Sequence, residues 1–245
     1  MDLLRLLRSA RWLTTGQVHR RFFPRAGMSA ARRRLRRLAE AGYVRKYQEN
    51  RMQEALFTLG REGRQWLERD GVNQIGLERH PPKQWEHLAG INDIRIAAEL
   101  TGQLAYFFAA WELAGIGWKY PIIPDAVFRI GDRTFAAEYD RGAEGLRYFV
   151  GSKIAWYRRR LPGFSLAAVL VVADREARKQ TLARAVGGEG GPFFFTTIET
   201  IRHQGLPESI RDRSTCSLEP LRRENNLLEL NVFESIGYEE TKVAS

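Results

Sequence analysis

Leu3, Leu4, Leu6 and Leu7 put an apolar stripe on a short helix at the start of the chain. Thr14 or Thr15 is a suitable cap for a second helix running toward Phe23, where Pro24 stops it. Ser29 caps a third, Ala30 to Ala41, with Gly42 just past its end. Along that third helix Ala31, Leu35 and Leu38 share one face, while Arg32, Arg33, Arg36 and Arg37 fan over the other. The period then changes. Tyr43–Tyr47 and Ala55–Leu59 are β-prone, and the polar stretch Gln48–Gln53 between them is a hairpin tip. Arg61–Arg69 returns to a helical pattern. Helix, helix, helix, hairpin, helix is the order of a winged helix-turn-helix.

Gly71–Lys83 is a loop ending in Pro81-Pro82, which sets the expected boundary. The sequence therefore predicts a DNA-binding domain over 1–80, a second domain over 84–213 and a tail over 214–245. Trp85–Leu113 reads as one long helix, with Leu88, Ile91, Ala98, Leu104, Phe107 and Trp111 on its apolar positions. After the Pro-punctuated Tyr120–Pro124, Asp125–Ile130 and Arg133–Asp140 form two strands around a Gly131-Asp132 turn. A helix over Ala143–Arg160, a buried strand over Ser165–Ala173, a helix over Arg175–Val186, a Gly187–Gly191 turn and a strand over Pro192–Thr197 follow. The fold class is thus a mixture of α+β and α/β, with a mixed sheet flanked by helices on both sides.

Charge sharpens the first domain. Met1–Asn50 holds 13 Lys/Arg against 3 Asp/Glu, so the whole net charge of +10 lies in the first fifth of the chain. A compact basic module suits double-stranded DNA better than a diffuse membrane patch does. In the major groove, Arg32, Arg33, Arg36 and Arg37 would meet phosphates and guanine edges. Arg45, Lys46 and Arg51 on the hairpin would reach the flanking backbone; the plain alternative is a solvated arginine face. A single cysteine, Cys216, excludes an intrachain disulfide or a CxxC metal knuckle and fits a cytoplasmic protein. The longest strongly apolar run, Leu166–Ala173, is too short for a membrane span, and the N-terminus lacks the apolar core of a signal peptide.

The hairpin carries the candidate chemistry. If Ile130 faces Arg133, Phe128 faces Phe135 and Asp125 faces Glu138, at roughly 5.5 Å between Cβ atoms. Alternation puts Glu138 and Asp140 on one strand face and Phe135, Ala137 and Tyr139 on the other. Three acids at one end of a hairpin repel, and a hard cation such as Mg²⁺ would relieve them. Three solvated acids are the alternative. Lys153 and Tyr157 share a face of the next helix.

Pro124-Asp125, Glu138-x-Asp140 and Lys153-x-x-x-Tyr157 together resemble the PD-(D/E)xK core of restriction-endonuclease-like proteins. With a winged helix ahead of it, Trp85-Glu86-His87-Leu88-Ala89-Gly90-Ile91-Asn92-Asp93 between, and Glu138-Tyr139-Asp140-Arg141-Gly142 on the strand, the chain resembles the replication-relaxation family. That family includes relaxases of the MobC type from plasmids and other mobile elements. The resemblance implies Asp125, Glu138 and Asp140 as ligands of Mg²⁺ or Mn²⁺, with Glu99 as a further one. Lys153 would act on the scissile phosphate and Tyr157 would position it. The chain departs from the pattern where lysine is expected two residues after Glu138; Asp140 stands there, and Lys153 would replace it from the helix, unless it is an ordinary surface lysine.

Two functions follow. One is a metal-dependent, site-selective DNA nickase acting with other relaxosome or replication proteins. The other is a non-catalytic winged-helix regulator of replication or transcription with a degenerate nuclease fold, which Asp140 in place of lysine favours.

Overall fold

The computed structural model describes residues 2–71, 78–143, 145–160, 166–187 and 192–211. The expected tail over 214–245, with Cys216, lies outside the described residues. The chain divides into two units, Met1–Leu100 and Thr101–Ser245.

In the first unit α1 (Asp2–Ala10) leads through β1 (Leu13–Thr14) into α2 (Thr15–Phe22). Thr14 is the N-cap: its hydroxyl accepts from the amide of Gln17, and the Gln17 side chain accepts from the amide of Thr14, a reciprocal capping box. The next helix, α3, spans Met28–Glu40 and starts two residues earlier than the sequence predicts, from Gly27 rather than Ser29. Gly27 supplies extended backbone but no side-chain cap. Strands β2 (Val44–Tyr47) and β3 (Leu56–Leu59) pair antiparallel, and β1 joins the far edge of β3, giving the order β1-β3-β2. This third, two-residue strand is too short to leave a pattern in the sequence. Then α4 (Arg61–Arg69) packs back closely: a Cβ at Gly63 would stand 2.2 Å from the carbonyl oxygen of Tyr43, so only glycine fits there. Leu4, Leu7, Leu13, Val18, Leu35, Phe57, Leu59, Leu67 and Ile96 form the core. At a coarse level this is a helical region with a small hairpin sheet, consistent with a winged helix-turn-helix.

Helix α5 (Trp85–Glu99) belongs to this unit, not to the second as the Pro81-Pro82 loop suggests. Buried polar contacts hold it. Asn92 donates to the carbonyls of Ala10 (2.9 Å) and Trp12 (2.8 Å), and Gln17 donates to the carbonyl of Ala89 (2.7 Å) and to Asp93 (2.8 Å). Arg20 completes the set with an ion pair to Asp93.

The expected helix over Trp85–Leu113 therefore ends early. Gly102 turns the chain at φ +69°, a value L side chains avoid. Leu104–Ala109 becomes strand β4, and only Ala110–Gly115 is helical again, as α6. Aromatic Tyr106, Phe107 and Phe108 favour the pleated surface. In the second unit β5 (Ala126–Ile130) and β6 (Arg133–Asp140) follow, then α7 (Leu146–Tyr148), a π-helical segment (Phe149–Ile154) and α8 (Ala155–Arg160) in direct succession. Next come β7 (Leu166–Ala173), α9 (Glu176–Val186), β8 (Phe193–Thr197), α10 (Ile198–Gln204) and α11 (Glu208–Arg211), the last two not foreseen. The sheet order is β4-β5-β6-β7-β8; the first three strands are antiparallel and the last two join in parallel. Val127, Ala136, Val169 and Val171 pack with Phe149, Ile154, Trp156, Tyr157 and Leu182 in one core. Phe107, Phe128 and Phe135 stack across three strands, at 5.7 and 5.4 Å between neighbouring rings. A mixed sheet flanked by helices is thus in place. Among the described residues no helix is long and apolar enough to cross a membrane.

Candidate DNA-binding face and carboxylate site

On α3, burying Ala31 and Leu35 turns Arg32, Arg33, Arg36 and Arg37 outward, all exposed. Arg36 is 3.8 Å from Glu40 on the same helix, a solvated pair worth little. No described residue holds Arg32, Arg33 or Arg37 by an ion pair or hydrogen bond. Of the other arginines in this basic segment, Arg5 pairs with Asp70, Arg11 with Glu78, Arg20 with Asp93 and Arg21 with Glu99, while Arg8 and Arg25 are exposed. Exposed positive charge is therefore densest on α3. Arg34, passed over in the sequence, is exposed as well; it lines a cavity of about 420 Å³ with Arg37, Phe22, Phe23, Leu38 and Tyr43. On the hairpin Arg45, Lys46 and Arg51 are exposed, and Arg45 donates to the carbonyl of Glu78.

In the second unit the Gly131-Asp132 turn sets the ladder. Ile130 pairs with Arg133, Phe128 with Phe135 and Ala126 with Ala137, so the next step places Asp125 opposite Glu138. Asp125 accepts from the amide of Tyr139 at 2.7 Å. Glu138 is 1% exposed, on a central strand covered by the helices after β6. Both of its oxygens are engaged: Tyr157 donates to Oε1 at 2.6 Å, and Lys153 Nζ lies 3.0 Å from Oε2. Lys153 stands in the π-helical segment, and α8 brings Tyr157 to the same carboxylate one turn later. Lys153 is mostly buried, at 14% side-chain exposure, so it is not an ordinary surface lysine.

Burial, and then the neighbouring Asp125 anion, push the Glu138 carboxyl up to about 8 from its ordinary 4.5; Lys153 and the Tyr157 hydrogen bond pull the other way only in part. Tyr157 is raised well above its usual value, by burial first and the Glu138 charge second.

Two of the expected ligands are directed elsewhere. Asp140 is gripped by Arg178 of α9, Nε to Oδ1 at 3.0 Å and Nη2 to Oδ2 at 2.8 Å, and its Oδ1 also accepts from the Gly142 amide at 2.5 Å. Glu99 ends α5 in the first unit, paired with Arg21. A divalent ion needs several ionised oxygens converging on one point. Among the described residues no group of three His, Cys, Asp or Glu is placed to hold one. What converges in the second unit is Asp125, Glu138, Lys153 and Tyr157. The sequence missed Arg178. Its only signal was a basic residue early in the helix after the strand paired to the end of β6, where Asp140 lies beside Ala173.

No curated protein and no solved structure matches the chain. The model of the replication-relaxation family matches residues 4–162, a stretch running from α1 through the carboxylate hairpin to the end of α8, and the chain belongs to that family.

Proposed function

We propose that this protein binds duplex DNA in replication or mobilisation of a plasmid or other mobile element, and that its second unit is a nuclease-like fold that does not cut. The first unit acts as a winged helix-turn-helix, with α3 in the major groove and the β2–β3 hairpin as the wing. The five-stranded mixed sheet flanked by helices supports reading the second unit as a restriction-endonuclease-like core. The observation that carries the non-cutting reading is the fate of Asp140. Its position is where the pattern expects lysine, and its carboxylate is closed off by Arg178 and Gly142. Glu138, with both oxygens taken by Lys153 and Tyr157, is a poor ligand as well.

One observation favours a second reading, a metal-dependent nickase. Lys153 sits 3.0 Å from Glu138, and Asp125 stands opposite, an acid pair with a lysine beside it. A supercoiled-plasmid nicking assay with Mg²⁺ or Mn²⁺ separates the two, with Asp125→Ala as control. The non-cutting reading expects retention of DNA without nicks, cognate origin DNA included. Nicking by the parent and none by Asp125→Ala would overturn it.

A further inference from the structure

The tip of the β2–β3 hairpin is closed by its own hydrogen bonds and carries a large apolar side chain into solvent. Asn50 Oδ1 accepts from the amides of Met52 (2.9 Å) and Gln53 (3.0 Å), and Gln48 Nε2 donates to the carbonyl of Gln53 at 2.8 Å. At the base of the hairpin, Glu54 accepts from the amide of Gly16 at the start of α2. These bonds hold the turn in one conformation and fix its attitude to the helix-turn-helix. Met52 follows Arg51 at the apex and is 96% exposed, more than any other large apolar residue described. An apolar side chain held out on a hydrogen-bonded turn has no packing role among the described residues, none of which covers it.

We infer that Met52 is a wedge that enters the DNA minor groove and unstacks a base step, with Arg51 guiding it. This deepens the DNA-binding reading above and rests on it. The surroundings suit that partner. Asn50 and Gln53, both exposed, carry amide donors suited to a groove whose floor offers acceptors at A·T pairs. Arg51 is drawn to the phosphates that line the groove. Methionine is unbranched and polarisable, and adapts its shape to a gap between bases. Glu49 and Glu54 also lie on the hairpin; Glu54 is turned to Gly16, and Glu49 stays exposed two residues before Arg51, so the tip carries one charge of each sign, with Arg51 beside Met52 at the apex. Wedge insertion costs least at pyrimidine–purine steps such as TA, so the wing selects alternating A·T sequence and distorts it.

The full chain is titrated against two 30-bp duplexes, alternating dA-dT and alternating dG-dC, by fluorescence anisotropy over a range of salt. A second dA-dT duplex carries 2-aminopurine, which brightens on unstacking. The parent is expected to prefer dA-dT by about tenfold and to brighten the probe. Met52→Ala should lose both effects and keep the slope of affinity against salt; Met52→Leu should retain both. Because the Met52 side chain is held out in solvent, these variants fold as the parent does. Equal affinity of the parent for the two duplexes, or an unchanged preference and brightening in Met52→Ala, overturns the wedge. If Arg32, Arg33, Arg36 and Arg37 are replaced together by Ala and binding is unchanged, the winged-helix reading fails instead. Binding to neither duplex overturns both.

Discussion

Arg178 holds Asp140 through two parallel hydrogen bonds, at 3.0 and 2.8 Å, with the carboxylate almost wholly buried. A fork-to-fork pair of this kind fixes the end of β6 against α9 and leaves Asp140 little capacity for another partner. The pair is therefore structural, and its loss has a definite sign. Arg178→Ala should destabilise the protein by about 3–5 kcal/mol, because it strands a buried charge. Arg178→Lys should recover only part of that, since an ammonium cannot bridge both oxygens. Urea unfolding measures both. A cost below about 1 kcal/mol for Arg178→Ala would return Asp140 to consideration as a ligand.

Glu138 makes stability depend on pH in an unusual direction. Its carboxyl titrates at about 8 in the fold against an ordinary 4.5. Between those values the folded state holds a proton that the unfolded chain has released, so stability falls as pH rises. The contribution is complete below about pH 4.5 and gone above about pH 8. It amounts to a few kcal/mol, on the order of 1.4 kcal/mol for every tenfold gain in proton affinity on folding. Glu138→Gln keeps a neutral, hydrogen-bonding side chain of similar shape. It should flatten the curve of unfolding free energy against pH in that window. A parent whose stability rises between those two pH values, or a Gln variant with the parent's slope, would contradict a protonated Glu138.

DNA affinity should depend steeply on salt, and α3 should supply most of that dependence. Each phosphate that the protein ceases to neutralise flattens the slope of log K against log salt by about 0.9. Replacing Arg32, Arg33, Arg36 and Arg37 by Ala removes the exposed face without touching the buried Ala31 and Leu35. The fold should survive and the slope should drop by up to about 3.6. Arg34 and Arg37 are both exposed and line the same cavity beside Leu38, so Arg34→Ala should flatten the slope about as much as Arg37→Ala does. Circular dichroism with binding isotherms at several salt concentrations tests each variant.

The hairpin is readable because its turn leaves one choice: Gly131-Asp132 forces Ile130 against Arg133, and every later pair follows. Thr14 announces the start of α2 by its residue type. The errors have physical sources too. Leu104, Phe107 and Trp111 fall at helical spacing by coincidence, and the period alone does not distinguish a strand and a short helix from one long helix. Arg178 lies 38 positions from Asp140, and only the parallel β6–β7 pairing brings it there. Glu99 goes to the wrong unit because the Pro81-Pro82 loop looks like the boundary. The hydrogen bonds that tie α5 to Ala10, Trp12 and Gln17 span more than 70 positions and leave no local trace. The π-helical turn beneath Lys153 likewise has no composition of its own.

Lys153 is the residue on which the two functional readings part most sharply. It is the positive charge nearest Glu138, and it lowers the pH at which that carboxyl ionises. Lys153→Met keeps the buried stem and removes the charge. In a non-cutting protein the consequence is confined to the fold. Glu138 should then hold its proton to higher pH, and the upper edge of the stability window should move above about 8. DNA retention should stay at the parent level, because Lys153 lies outside the arginine face. In a nickase the same change would remove charge stabilisation at the phosphate and lower nicking by about 100-fold or more. The two outcomes are read in separate experiments, unfolding against pH and plasmid nicking with Mn²⁺. A shifted pH window with no nicking in either protein supports the degenerate site. Nicking by the parent that collapses in Lys153→Met would show that the acid pair and its lysine still cut.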